Sequence, residues 1–268
     1  MAGLRVRIQG VRGSVPVHGE SFAQFGGGTN CVLYQAGDET IYLDAGSGLL
    51  SGNFPPAIPS GRISILLSHG HADHLIGFPL FPPFFDSART CDIYLKHRNG
   101  RTAKEQVEML MTPPLWPVGP DALRGTLRFH DVAPSFTLGD VLIETMEATH
   151  PGGVTLFKLT YQGIRVVYAT DFEPDAAERD AFCSFARDCS LLLLDAQYTA
   201  EEYQRTKGFG HMTLQEGLEI AARCHAGKTL LIHHAPSRTD AQLLEQERDM
   251  LARYPQVRFA RVGDEIAL

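Results

Sequence analysis

Four metal-ligating side chains fall within six residues at His69-Gly70-His71-Ala72-Asp73-His74, immediately after the apolar run Ile63-Ser64-Ile65-Leu66-Leu67. In an extended segment residues two apart share a face, so His69 and His71 can grip one cation together. Asp73 and His74 fall where a strand should end and a helix begin, turned toward a second position nearby. Three imidazoles and a carboxylate at this spacing predict a binuclear transition-metal site. A strand end seldom gathers such costly polar groups without a ligand.

The elements that must position these groups show the same placement again. Val141–Glu147 leads into His150, Arg165–Ala169 into Asp171, and Thr229–Ile232 into His233 and His234. Each His or Asp lies just past the carboxyl end of an apolar strand, the usual edge for ligand sites in α/β sheets. Taken singly, a loop histidine or a turn aspartate is the commoner reading. Together with the first motif they supply about the ligand count that two zinc ions require.

Further strands are expected at Leu4–Gln9, Cys31–Gln35, Thr40–Leu43, Asp92–Leu95, Thr126–Phe129 and Thr155–Tyr161. Leu191–Leu194, Val257–Ala260 and Glu265–Leu268 complete the set. Helical periodicity marks Thr102–Leu110, Asp175–Ala186, Thr213–Cys224 and Thr239–Ala252, with Thr213 and Thr239 as N-caps. Strands dominate the first half and strand–helix alternation the second. Two sheets sandwiched between helices in one domain, 1–268, satisfy that order, because each sheet must bury both faces.

At 268 residues, 44% hydrophobic and 21% charged, the composition is that of an ordinary soluble globular protein. No run of about 18 apolar residues is present, and Met1–Gly10 alternates like a strand rather than a signal peptide. Five cysteines without a CxxC pair favour reduced thiols and a cytoplasmic protein. A net charge of −7 argues against broad nucleic-acid binding.

His-x-His-x-Asp-His, a lone His, an Asp after a strand and a final His resemble the metallo-β-lactamase fold in their order. Supporting stretches are Gly10-Val11-Arg12-Gly13-Ser14-Val15-Pro16, Gly26-Gly27-Gly28-Thr29-Asn30-Cys31 and Leu43-Asp44-Ala45-Gly46-Ser47-Gly48. Leu194-Asp195-Ala196-Gln197-Tyr198 and Gly210-His211-Met212-Thr213 look like motifs of one branch. That branch holds tRNA 3′-processing endonucleases and phosphodiesterases, including the anti-Pycsar enzymes that cleave cyclic nucleotides. The resemblance implies a four-layer αββα sandwich in the α/β class. It implies one metal held by His69, His71 and His150, a second by Asp73, His74 and His233, and Asp171 bridging them with a water. His233 is preferred to His234 because Leu231-Ile232-His233 matches the family's final strand–His register. Nitrogen with few oxygens suits two Zn²⁺, with Mn²⁺ or Fe as competitors. The related flavodiiron proteins use a Glu where this chain has Ala72, which lowers a redox reading.

Two cations roughly 3.5–4 Å apart would make a bridging hydroxide at neutral pH and polarise a phosphoryl oxygen. A phosphodiester is the substrate that most needs both effects. Asp73, His211 and Asp195 are the residues assigned to catalysis. His211 would donate a proton to the leaving alkoxide and Asp195 would orient it, worth roughly 10²–10⁴-fold. The long tRNA-gripping arm of the processing enzymes has no counterpart, and Pro174–Arg187 is an acidic-leading helix. A small phosphodiester is therefore expected, with a 3′,5′-cyclic nucleotide as leading candidate and no large nucleic acid or membrane as partner. The rivals are a carbonyl hydrolase of the same fold (lactonase, thioesterase or β-lactam hydrolase) and an RNA 3′-processing endonuclease. Carbonyl hydrolases of this fold often dispense with a His–Asp pair of this kind. A non-enzymatic module would lack a ligand, and none is missing.

Phe78-Pro79-Leu80-Phe81-Pro82-Pro83-Phe84-Phe85 cannot form a regular helix or a central strand. It is read either as core or as a wall of the active-site mouth that packs on a second subunit beside Pro113-Pro114-Leu115-Trp116-Pro117. The resemblance to the anti-Pycsar enzymes implies a homodimer.

Overall fold

The structure, a computed structural model, describes residues 3–51 and 62–268, so Met1 and Ala2 of the alternating start Met1–Gly10 lie outside it. The first sheet takes β1 (Arg5–Gly10), β2 (Cys31–Ala36), β3 (Glu39–Leu43), β4 (Arg62–Leu67), β5 (Thr90–Leu95) and β6 (Thr126–His130). The second takes β7 (Ser135–Leu138), β8 (Val141–Ala148), β9 (Val154–Tyr161), β10 (Ile164–Ala169), β11 (Leu191–Asp195), β12 (Lys228–Ile232) and β13 (Val257–Phe259). β14 (Glu265–Ala267) returns to the first sheet beside β1. The spatial orders are β14-β1-β2-β3-β4-β5-β6 and β13-β12-β11-β10-β9-β8-β7.

Alternation along the strands builds the layers. In β4, Ile63, Ile65 and Leu67 face outward to one apolar cluster while Leu66 faces inward to another. In β11, Leu191 and Leu193 point between the sheets, whereas Leu192 and Leu194 point under the helices. A strand buried on both faces therefore reads as a continuous apolar run. The inner cluster joins Val6, Tyr34 and Leu66 of one sheet to Phe157, Tyr168 and Ile232 of the other.

The helices are α1 (Ala72–Leu75), α2 (Ala103–Leu110), α3 (Ala176–Phe185), α4 (Ala200–Thr206), α5 (Leu214–Arg223) and α6 (Asp240–Leu251). Phe182, Ile220, Leu243 and Met250 of α3, α5 and α6 cover the second sheet, and Val107 of α2 covers the first. The order is helix, sheet, sheet, helix: the four-layer αββα sandwich. Reciprocal capping boxes start α2 to α6 at Thr102, Asp175, Thr199, Thr213 and Thr239, so both expected threonine caps are present.

β7 and α4 were not anticipated. β7 is a four-residue edge strand, and α4 buries no residue, so neither carries a strong apolar period. The aromatic segment resolves toward the core. Phe78, Phe81 and Phe84 are fully buried and pack on one another, with Trp116 against the same cluster. Short 3₁₀ turns at Phe78–Leu80 and Pro82–Phe85 turn every third residue inward, leaving Leu80 52% and Phe85 48% exposed. Of the two readings, burial in the core holds for Phe78, Phe81 and Phe84, and the cavity against His69 and His71 is lined by Leu115 but by no residue of this segment.

Candidate metal centre

The carboxyl ends of β3, β4, β10, β11 and β12 meet at one edge, and their parallel neighbours hold them in register. Ser68 separates β4 from His69, and the single-turn helix α1 begins beyond His71, carrying Asp73 and His74. β8 leads to His150, β10 to Asp171 and β12 to His233. Asp44, Asp171 and His233 adopt left-handed backbone, with φ of 60°, 55° and 59°. That conformation costs a non-glycine residue on the order of 1–3 kcal/mol, and such strain gathers at functional sites.

The seven expected ligands form two groups that share Asp171. His69 Nε2 and His150 Nε2 lie 2.9 and 3.1 Å from His71 Nδ1, and each lies 3.7 Å from Asp171 Oδ2. On the other side, His74 Nε2 and His233 Nε2 lie 3.3 and 3.2 Å from Asp73 Oδ2. The same two nitrogens lie 3.3 and 3.2 Å from Asp171 Oδ1. One carboxylate thus turns one oxygen to each triad, the geometry of a bridging ligand. His234 is excluded from the cluster: its Nε2 donates to the Ala260 carbonyl at 2.9 Å, and its ring packs on Phe25 and Phe259.

Most of these imidazoles are fixed from behind. The Nδ1 of His69 meets Ser68 Oγ, that of His150 the Gly210 carbonyl, that of His233 Gln197 Oε1 and that of His74 Asp44 Oδ2. Partners of this kind set tautomer and ring orientation at metal sites. Asp44 is fully buried and also accepts from the Ser68 amide and hydroxyl and from Tyr168 Oη. In the sequence Asp44 stands out only as part of a stretch that resembles the family. Its partner Tyr168 stands 124 residues away, and no local signal shows that contact.

The residues fit a pair of cations. His74 Nε2 is buried and has no hydrogen-bond partner, although two carboxylates face it. Burial, aided by neighbouring imidazoles, pulls His69 well below the usual histidine range. Burial likewise takes His150 down to about 4, so both are the neutral, ligand form. Burial pushes Asp171 toward protonation, but His233 and His74 outweigh it and hold the carboxyl well below its ordinary value. Burial lowers His74 too, yet Asp171, Asp73 and Asp44 together raise it well above the usual range. Ionised carboxylates packed this closely out of water demand positive charge among them.

Beside this cluster His211 stacks on His233 at 4.8 Å and meets the His150 ring edge-on at 5.4 Å. Its Nδ1 lies 2.7 Å from Asp195 Oδ2. Burial would lower His211, but Asp195, then Asp171 and Asp73, raise it to about 9. The loop that presents it is clamped by Glu173, whose carboxylate accepts from the amides of Gly208 and Gly210. Gly210 has φ of 92°, and a Cβ there would stand 1.9 Å from His150 Nδ1. Glu173 and Gln197 are further contributors that the sequence reading missed.

A family model described as a β-lactamase superfamily domain matches residues 39–234. The chain is 26% identical over 243 residues to a probable metallo-hydrolase, YhfI, of Bacillus subtilis, covering 86% of each chain. It is 23% identical over 306 residues to ribonuclease Z of a Bradyrhizobium species, covering 97% of this chain and 98% of that one. Among solved structures, YhfI superposes with a TM-score of 0.75 at 23% identity, covering 98% of both chains. A diphosphatase of the PhnP family gives 0.72 at 18% identity, covering 100% of this chain and 98% of that one. These structural likenesses speak for the fold.

Proposed function

This chain belongs to the β-lactamase superfamily, and from that premise we propose that it hydrolyses a small phosphodiester, with a 3′,5′-cyclic nucleotide as the first candidate. The observation that carries the reading is the His211–Asp195 pair, 2.7 Å apart and stacked against the candidate ligands. Two cations, Zn²⁺ by donor type, would be held by His69, His71 and His150 and by Asp73, His74 and His233, with Asp171 between. Bound there, they would supply charge to a phosphoryl oxygen and lower the pKa of water.

The chain's own residues account for the rest. Asp195 accepts from Nδ1 of His211, so the proton available for transfer sits on Nε2. Against the effect of burial, Asp195 raises His211 above the ordinary histidine range, toward the protonated state that a donor to a poor alkoxide leaving group requires. Its burial keeps bulk water from short-circuiting that transfer. A carbonyl substrate whose tetrahedral intermediate collapses readily has less use for such a donor.

The match to ribonuclease Z over most of the chain supports an RNA 3′-processing alternative. The net charge of −7 weighs against a large polyanion. The test is a panel run on zinc-reconstituted protein: cyclic AMP, cyclic GMP, bis(p-nitrophenyl) phosphate, a lactone, nitrocefin and a tRNA precursor. Turnover of the small diesters is expected. Brisk lactone hydrolysis with no diester cleavage transfers the assignment to a carbonyl hydrolase, and cleavage of the tRNA alone transfers it to RNA processing.

A further inference from the structure

A cavity of about 310 Å³ opens against His69 and His71, walled by Arg98 and Arg101 and by apolar Met109, Leu110 and Leu115. Among the described residues no aspartate or glutamate lines it. The two arginines sit at the ends of one turn, Arg98-Asn99-Gly100-Arg101, closed by backbone hydrogen bonds of 3.1 and 2.9 Å in both directions. Asn99 and Gly100 have φ of 52° and 72°, the type I′ pattern of a tight, stiff hairpin turn. Gln106 braces it, donating its amide to the carbonyls of Lys96 and Arg101.

The two guanidiniums differ in their commitments. Arg98 Nη2 donates to Thr155 Oγ1 at 2.7 Å and pairs with Glu147 at 2.6 Å, which largely spends its charge. Its Nη1 lies against Gly153, where a Cβ would stand 2.3 Å away, so glycine (φ 81°) lets it rest beside the turn that follows His150. Arg101 is exposed and forms no ion pair or side-chain hydrogen bond with any described residue. A net positive charge therefore faces the cavity, in a chain whose overall charge is −7.

We propose that this cavity binds a second phosphate of the substrate, distinct from the one cleaved, with Arg101 as its main contact. The inference rests on the phosphodiester reading and narrows it. The scissile group belongs at the candidate ligands, and beyond the pull of its charge on the exposed Glu105, whose carboxylate is held by Thr102, Arg101 has no ion-pair partner, so its guanidinium is placed to meet another anion of the substrate. An exposed arginine is the better fork for phosphate, and a stiff turn limits the entropy lost in using it. Among 3′,5′-cyclic nucleotides the condition selects those with two phosphates; among linear ones it selects a diester with a terminal phosphate.

The test compares matched pairs on zinc-loaded protein: the adenine dinucleotide ApA with its 5′-phosphorylated form pApA, and 3′,5′-cyclic AMP with cyclic di-AMP. The added phosphate should raise kcat/KM roughly tenfold or more, chiefly through KM. In Arg101→Gln the ratio should fall toward one, and in Arg101→Lys part of it should return. A gain confined to pApA or to cyclic di-AMP identifies the source of the second phosphate. Calorimetric binding of the same pairs reads the contrast independently of turnover. A ratio near one in the parent protein, by rate and by binding, overturns the proposal, as does a ratio that Arg101→Gln leaves intact. Failure to cleave bis(p-nitrophenyl) phosphate or any diester overturns the phosphodiester reading instead, and the binding contrast then decides whether the second-phosphate site stands.

Discussion

Replacing Asp44 by Asn should strip a metal from the site without unfolding the protein. The carboxylate has no exposed surface and is surrounded only by donors: the Ser68 amide at 2.7 Å, the Ser68 hydroxyl at 2.9 Å, Tyr168 Oη at 2.6 Å and His74 Nδ1 at 2.6 Å. Asparagine keeps the volume and tolerates the left-handed backbone, but one of its two ends is an NH₂. Turned toward Ser68 N, that group faces another donor. Turned the other way, the hydroxyls can rotate, but His74 must accept at Nδ1 and so carry its proton on Nε2, the atom meant for the cation. One hydrogen bond to a charged group is worth roughly 1.5–3 kcal/mol. Loss of such a support at a metal site typically costs 10–100-fold in affinity, which is about 1.4–2.8 kcal/mol and agrees with that range. Competition with a chromophoric zinc chelator would measure the affinity, and denaturant unfolding in EDTA would measure the metal-free fold. A zinc affinity within twofold of the parent, in a folded variant, would refute the claim that Asp44 sets the ligating face of His74.

Elemental analysis after zinc reconstitution should give about two metals per chain, and Asp171→Ala should lower both occupancies, since its two oxygens face different triads; a value below one per chain in the parent ends the binuclear reading. His211→Ala should cut turnover strongly on an alkoxide leaving group and little on p-nitrophenolate; equal losses remove the residue from the acid role. The donor form of His211 exists below its pKa, so activity on poor leaving groups should fall as pH rises through that value. Asp195→Asn removes the main influence raising His211, so that alkaline limb should move to lower pH; bound cations shift the scale down in both proteins but keep the sign. Phe84→Ala should destabilise by roughly 3–5 kcal/mol, and Phe85→Ala by less than about 0.5 kcal/mol, by denaturant unfolding; a large Phe85 effect on assembly would restore it to a subunit interface.

What could be read before the fold was known followed from local geometry. His69 and His71 point together because a strand repeats every two residues, and the doubly buried β4, β10 and β11 read as apolar runs because both faces pack. Contacts between distant segments were not readable. Gln197 reaches His233 across 36 residues and Glu173 reaches Gly208 across 35, and neither spacing has a period. His233 and His234 are chemically alike, and only the backbone turn at His233 decides which ring faces Asp73 and which faces Ala260. The aromatic segment left core and surface readings both open, because proline content speaks to regularity and not to depth.

The left-handed turns at Asp44, Asp171 and His233 bear on how this site would decay over evolutionary time. In a descendant that no longer needed cations, selection for carboxylate and imidazole at these positions would lapse while the backbone demand stayed. Valine, isoleucine and other β-branched residues would remain excluded by sterics, whereas glycine and asparagine would be admitted. A relict of this lineage would then carry Gly or Asn at three strand ends with no chemistry to justify them, a fossil imprint of a lost metal site legible in the substitutions alone.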